Sequence, residues 1–511
     1  MRTLKYRIKP SFHALDIELT FMPSRTGPLA LHLPIWRPGR YQVQHFAKNI
    51  ATVICADALV VKSDLSSWTV DVKDLKPITV TYRYHAEQPD AGGSWVDDSM
   101  VYINFVNCLL FPHRGENRAC EVEVLLPPVG GYETSCSLRT FGNKFRAKSY
   151  RDLVDSPFLA APQLHTHAWK THGVKFYLQV LGPKTHFSDR LLKAYQKFVA
   201  YQLDYMGEFP VREYRFMLWI CPKPFYHGVE HTKSTMMVMG PEDRDSYEDL
   251  IGLGSHELYH VWNVATIRPK VLLPYDYTKA VIFDTGWIVE GITTYLGDWF
   301  LWASGVVNPD EYVNLLAGNL KLHFERDGAS KQSLLESSID LWLDGYGSAL
   351  PGKRVSIYFK GALVALGLDL LIRRKFQHAK SLRDVMLLMQ NRYGQLKKGY
   401  TRQDFYALVE EVYGESLSEF WTRWVESSER LEGEIAALLE SVGLHFESEG
   451  ILTISDLNRL EAFGIAQSEQ LFRYVTCFVG EVITVEYIRF IILPYDKRCS
   501  KTPEDSNFSR V

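Results

Sequence analysis

The sequence predicts an α+β multidomain protein, with an antiparallel β domain at the amino end, a mostly helical middle and a small α+β module at the carboxyl end. Three observations carry this. Short polar–apolar alternations separated by Pro, Gly and Asp clusters fill residues 1 to about 165. Apolar residues at helical spacing begin near 188 and dominate from about 246 to 436, and strand-like runs return between 450 and 495. The boundaries expected from these shifts are 1–168, 169–445 and 446–511, and 511 residues are too many for one ordinary core.

Within the first region the alternating stretches are 6–20, 68–72, 78–85 and 120–126, each rich in residues that suit a half-buried pleat. Residues 188–205 have apolar positions on one helical face and are followed by Gly207 and Pro210, which stop a helix. The run YRFMLWI, 214–220, reads as a buried strand. The longest apolar run, 361–372, is broken by Asp369 and falls short of the ~18 residues that a membrane span needs, so a buried helix is expected. Near the carboxyl end, GILTI and GEVITVEYIRFIIL flank one amphipathic helix, and the last dozen residues read as a loose tail.

Composition narrows the function classes. Hydrophobic residues make up 46% and charged residues 23%, enough apolar material for packed cores. A net charge of -3 provides no basic face for nucleic acid or an anionic membrane, so neither is expected as a partner. The opening residues alternate like a strand and lack the apolar core of a signal peptide, which suggests a cytoplasmic protein. The cysteines (Cys55, Cys108, Cys120, Cys136, Cys221, Cys477 and Cys499) are scattered, odd in number and without the close pairs of a thiolate zinc site. Free thiols in a reducing compartment are the reading.

The chemistry centres on His256, Glu257, Leu258, Tyr259 and His260. Histidines four apart on a helix project from one face, so both imidazoles can reach one divalent ion while the glutamate between them can take a proton from a water at the metal. Ser246 and Asp249 form a capping-box pattern where that helix should begin. A pair of satisfied structural histidines is the plain alternative. A catalytic zinc takes three protein ligands, and Glu290 is the candidate third. It is the only acidic residue between Asp284 and Asp298, set among Ile288, Val289, Ile292 and Leu296, where a carboxylate is costly unless paired or metal-bound. Its plain alternative is a carboxylate favoured by a helix amino end.

HELYHVWN followed by WIVEGITTYL resembles the gluzincin metallopeptidases, and the glycyl aminopeptidase family more closely than the larger aminopeptidase N family. Four further stretches support the closer match: WRPGRY from Trp36, HGVEH from His227, SLLESSIDLW from Ser333, and YFKGA from Tyr358, so that the likeness spans about residues 5 to 445. The resemblance implies a thermolysin-like catalytic domain, one zinc ion per chain held by His256, His260 and Glu290, and Glu257-assisted attack of water on the first peptide bond of a peptide. It further implies that Glu230 grips the free α-ammonium, that Gly228 lets an edge strand approach the peptide, that His231 belongs to the substrate-binding segment, and that Tyr358 donates to the oxyanion. Trp262, Asn263, Arg268 and Pro269 match as supporting structure. Small first residues such as Gly or Ala are the substrates the resemblance implies.

Two departures stand out. The family pattern has a second glycine where this chain has His227, which narrows the pocket mouth or adds a titratable group there. Relatives also carry a whole PDZ domain, whereas the segment after Gly443 resembles only its later half, so capture of a peptide tail by strand addition is not expected. Two other readings fit the same residues: a non-catalytic peptide-binding scaffold on a peptidase fold, or a zinc hydrolase of non-peptide substrates.

Overall fold

In–out alternation governs the amino-terminal strands. Along Leu4–Ser11 every other residue is buried, starting with Leu4, Tyr6 and Ile8, while Lys5, Arg7 and Lys9 face solvent, and the hairpin partner Ala14–Phe21 buries Leu15, Ile17 and Leu19. The computed structural model describes residues 3–127, 131–141, 144–183, 188–244, 246–326, 331–347, 350, 353–447 and 451–465.

The hairpin lies within a seven-stranded sheet whose order is Arg139–Phe141, Lys144–Ala147, Cys120–Val124, Leu4–Ser11, Ala14–Phe21, Ile78–His85 and Ile54–Cys55. Its pairs are antiparallel except Leu4–Ser11 with Cys120–Val124, which run parallel. Alternation marks a strand but not its partner's direction, so this pair escapes a sequence reading. Two four-stranded sheets complete the β region, one around Gly27–His32 and Ser67–Val72, the other around Phe158–Ala161 and Val101–Ile103.

A mixed five-stranded sheet follows, in the order Leu164–Thr171, Val174–Leu181, Glu213–Ile220, Ser234–Gly240 and Phe225–His231, so that Phe225–His231 is its edge. The helix Asp189–Met206 packs nearby, its amino end capped by the Ser188 hydroxyl accepting from the Leu191 amide at 3.2 Å. The helix Tyr247–Tyr259 does begin after Ser246, but the expected capping box is absent: the Ser246 side chain makes no cap hydrogen bond, and Asp249 instead pairs with Arg244 at 2.8 Å. The backbone of Ser246 explains this, since its ψ of 21° departs from the extended geometry that aims an N-cap oxygen at the first-turn amides.

Two long helices form the centre of the middle region. Gly286–Ala303 is buried almost all round, and Phe359–Lys375 crosses it where Gly291 meets Gly361; a Cβ on either glycine would collide with the other's backbone. Asp369, the residue that interrupts the apolar run, accepts hydrogen bonds from Tyr295 at 2.6 Å, Arg373 at 2.9 Å and the Leu382 amide at 2.7 Å. It thereby joins both helices to the start of a third, Leu382–Met389. Replacing Asp369 by Ala should cost about 3–5 kcal/mol, because Arg373 remains buried without its counter-charge. A lowered thermal transition would report it, and an unchanged one would show that the network contributes little.

At the carboxyl end the strands Leu444–Phe446 and Leu452–Ile454 pair, and the helix Leu457–Ile465 sets Phe463 against Trp302 with Arg373 over its ring at 5.0 Å. The second expected strand-like run, 480–493, lies outside the described residues, as does the remainder of the PDZ-like segment. Among the described residues no helix is long and apolar enough to cross a membrane, and Cys55, Cys108, Cys120, Cys136 and Cys221 are all free.

Candidate active site

The helix Tyr247–Tyr259 carries His256 and Glu257 in its last turn, and His260 is its C-cap residue. The Nε2 atoms of His256 and His260 stand 3.0 Å apart. Glu290, in the second turn of Gly286–Ala303, brings Oε2 to 3.3 Å from His260 Nε2 and 3.7 Å from His256 Nε2. One ligand atom from each residue thus lies within 4.8 Å of the others. Donors around a tetrahedral ion with bonds of ~2.0–2.1 Å are about 3.3 Å apart, so the trio is spaced as three corners of such a shell.

The orientation of His260 is set from behind. Its Nδ1 lies 2.8 Å from the Asn263 carbonyl and so carries the proton, which leaves the Nε2 lone pair for a metal. The Asn263 amide group donates in turn to the carbonyls of Ile288 and Val289 and to the Thr293 hydroxyl. Asn263 therefore ties the turn after one helix to the helix that bears Glu290.

Burial makes charge compensation necessary here. It would by itself raise the Glu290 carboxyl, but His260 and His256 hold it down at about 2. Burial would lower His260, yet Glu290, with Glu230 and Glu257, raises it to about 10. Glu257 is pushed up to about 8, mainly by burial. The cluster keeps its carboxylates only with positive charge among them, and a divalent cation between neutral imidazoles supplies that charge. The donor set of two imidazoles and one carboxylate fits zinc.

Two carboxylates that do not join the trio sit beside it. Glu257 is 4% and Glu230 6% exposed, and each has one buried oxygen without a hydrogen-bond partner among the described residues. Unpartnered buried carboxylate oxygens are costly, so such a pair marks where a ligand brings donors. Both are accommodated by glycines. A Cβ on Gly228 of the edge strand would collide with the Glu257 carboxylate, and one on Gly39 would collide with that of Glu230. Gly228 thus has a role not visible in the sequence, as space for Glu257.

Tyr358 precedes the helix Phe359–Lys375 as its N-cap, with its ring stacked towards His256 at a centroid distance of 6.5 Å. Burial and the Glu290 charge raise its pKa far above the ordinary tyrosine value, so its hydroxyl stays protonated. Its neighbour Tyr346 is bonded on the other side by the Tyr41 amide at 3.2 Å. The structure therefore gathers His256, His260, Glu290, Glu257, Glu230, Gly228 and Tyr358 in one place. His231, next along the strand after Glu230, has its Nδ1 3.3 Å from Asp155 and its Nε2 buried without a hydrogen-bond partner among the described residues. Arg37, Asp90 and Tyr346 were not singled out from the sequence. Arg37 lies inside the WRPGRY stretch and could have been suspected there, whereas nothing local marks Asp90 or Tyr346.

Residues 5–162 match the Peptidase M61 N-terminal domain, and residues 249–364 match the M61 glycyl aminopeptidase model. No curated protein matches the chain. Among solved structures, an aminopeptidase N family protein from Idiomarina loihiensis superposes with a TM-score of 0.81 at 26% identity, over 87% of this chain and 79% of that one. An M1 zinc metallopeptidase from Deinococcus radiodurans, solved also as a mutant bound to a Tyr-Ser-Ala substrate, gives a TM-score of 0.50 at 14% identity over 84% and 94% of the two chains. Legionella pneumophila aminopeptidase A in complex with aspartic acid gives 0.51 at 16% identity, over 83% of this chain and 49% of that one. These last two likenesses concern the fold.

Proposed function

Because the chain belongs to the M61 glycyl aminopeptidase family, we propose that it is a zinc-dependent aminopeptidase that removes the first residue of peptides, favouring small ones such as Gly or Ala. The family and its structural neighbours support peptidase activity. The observation that carries the finer reading is the convergence of His256, His260 and Glu290 with Glu257 beside them, one of whose buried carboxylate oxygens has no hydrogen-bond partner among the described residues.

In this reading His256, His260 and Glu290 would hold one zinc ion, which when bound supplies Lewis acidity to the attacking water and the scissile carbonyl. Glu257 accepts the proton of the attacking water and passes it to the leaving amine. Tyr358, kept neutral by its surroundings, donates a hydrogen bond that strengthens as the oxyanion develops. Glu230 receives the substrate's ammonium through charge-assisted hydrogen bonds, which fixes the first carbonyl over the ligand trio. Gly228 clears the edge strand for Glu257 and the peptide, and His231, through its Asp155 contact, steadies the end of that strand. Residues 1–168, 169–445 and 446–511 are the units proposed, with free thiols pointing to a cytoplasmic setting, a peptide as the partner, and neither nucleic acid nor membrane.

The test is hydrolysis of alanyl and glycyl anilides by zinc-loaded protein, before and after chelation. Glu230→Ala should raise KM for these free-amine substrates by about 10- to 100-fold, the worth of a hydrogen bond to a charged group. An equal effect on amino-blocked peptides would argue for an endopeptidase. Chelator-sensitive activity on a non-peptide ester, with none on anilides, would move the assignment to another zinc hydrolase.

A further inference from the structure

Behind the edge strand Phe225–His231 lies a polar cluster that the proposed chemistry leaves unused. Side chains alternate along a strand, so if Gly228 and Glu230 face the metal helix, His227 and Val229 face the amino-terminal sheets. Val229 packs there in a cluster with Ala91, Tyr102 and Met217. His227 stands between two charged groups, with Nε2 3.4 Å from Nη2 of Arg37 and Nδ1 3.7 Å from Oδ1 of Asp90.

Both charged groups are immobilised. Arg37 is only 2% exposed, donates from Nη1 to the Pro38 carbonyl at 3.1 Å, and lies so close to Gly92 that a Cβ there would collide with the guanidinium. Gly92 is itself held from two sides: its amide donates to Asp90 Oδ1 at 2.8 Å, and its carbonyl accepts from the side chains of Asn104 and Asn107. Burial pushes the His227 ring down to about 4, so it is neutral at pH 7. The tautomer that serves both neighbours has Nδ1–H towards Asp90 and Nε2 accepting from Arg37.

We propose that His227, locked between Arg37 and Asp90, is the wall met by the side chain of the substrate's first residue and restricts that position to small side chains. This rests on the aminopeptidase reading above. A substrate whose ammonium reaches Glu230 and whose first carbonyl reaches the ligand trio turns both backbone arms of its first Cα towards the metal helix. The tetrahedral carbon then sends its side chain the other way, past the edge strand to His227. Pushing the imidazole aside removes the acceptor of a buried guanidinium, so the wall resists displacement.

The experiment compares kcat/KM for Gly, Ala, Leu and Lys p-nitroanilides in the wild type, His227→Ala and His227→Asn. The wild type should favour Ala over Leu by about tenfold or more. His227→Ala should raise Leu and Lys relative to Ala by about tenfold, and His227→Asn should lie between. A wild type that takes Leu as readily as Ala overturns the inference without any variant, and so does a folded His227→Asn or His227→Ala protein with an unchanged profile. Zinc-loaded protein that hydrolyses none of the four overturns the aminopeptidase reading and this inference with it, whereas hydrolysis with no dependence on residue 227 overturns this inference alone.

Discussion

Glu257→Gln should leave the protein folded and metal-loaded while slowing anilide hydrolysis by about 10³-fold or more, within the range that general acid–base groups contribute. Glutamine has the same shape, so the space left by Gly228 still accommodates it. Folding should not suffer, because burial already pushes the Glu257 carboxyl up to about 8 in the metal-free protein and a neutral amide avoids that desolvation. The metal ligands are untouched, since His256, His260 and Glu290 reach one another without Glu257. The amide can neither take the proton of water nor deliver one to the leaving amine, so the loss should fall on kcat. Turnover within a few-fold of wild type, at full zinc content, would remove Glu257 from the mechanism.

Glu290→Gln should instead abolish activity by losing the metal. Glu290 is the one anionic member of the trio, and its carboxylate lies 3.3 Å from the His260 nitrogen that must turn its lone pair to the ion. Zinc content after dialysis should fall to a small fraction of wild type, with circular dichroism little changed. Metal removal from the wild type should have the same effect reversibly, and reloading carries a proton signature. Without metal, the carboxylates of Glu290, Glu230 and Glu257 outweigh burial and push His260 up to about 10, and burial pushes Glu257 up to about 8, so both hold protons at pH 7. Zinc needs the neutral imidazole, and its charge favours ionised Glu257, so binding at pH 7 should release one to two protons and zinc affinity should climb as pH rises. Calorimetry in buffers of different ionisation heat reads this directly. A zinc-replete and active Glu290→Gln enzyme would exclude Glu290 as a ligand, and zinc uptake with no proton release would show that His260 and Glu257 hold no protons before zinc binds.

Much of this architecture is legible in local sequence because periodicity is a local property. The stretch 78–85 alternates and becomes the strand Ile78–His85; 188–205 has helical spacing and becomes Asp189–Met206. The failed capping box shows the limit of the method. Ser246 and Asp249 have the right types and spacing, but a cap depends on the backbone angles at Ser246 and on whether Arg244 competes for Asp249, and neither is written in the pattern. Asp369 is visible as an interruption of an apolar run with Arg373 one turn on, yet its other two partners, Tyr295 and the Leu382 amide, come from two other helices.

The α+β division, the one-turn spacing that aims His256 and His260 at a common point, and the one isolated acid, Glu290, in an apolar helix are all written in local sequence. Packing between distant segments is what makes Glu290 meet those imidazoles, Asn263 hold the two helices in step, and Gly39 and Gly228 make room for Glu230 and Glu257. It alone brought Arg37 and Asp90 to either side of His227. The reason is physical: helical and strand periods relate residues a few positions apart, whereas contacts such as Arg37 with His227 depend on how separate sheets and loops pack, and packing is set by the whole core.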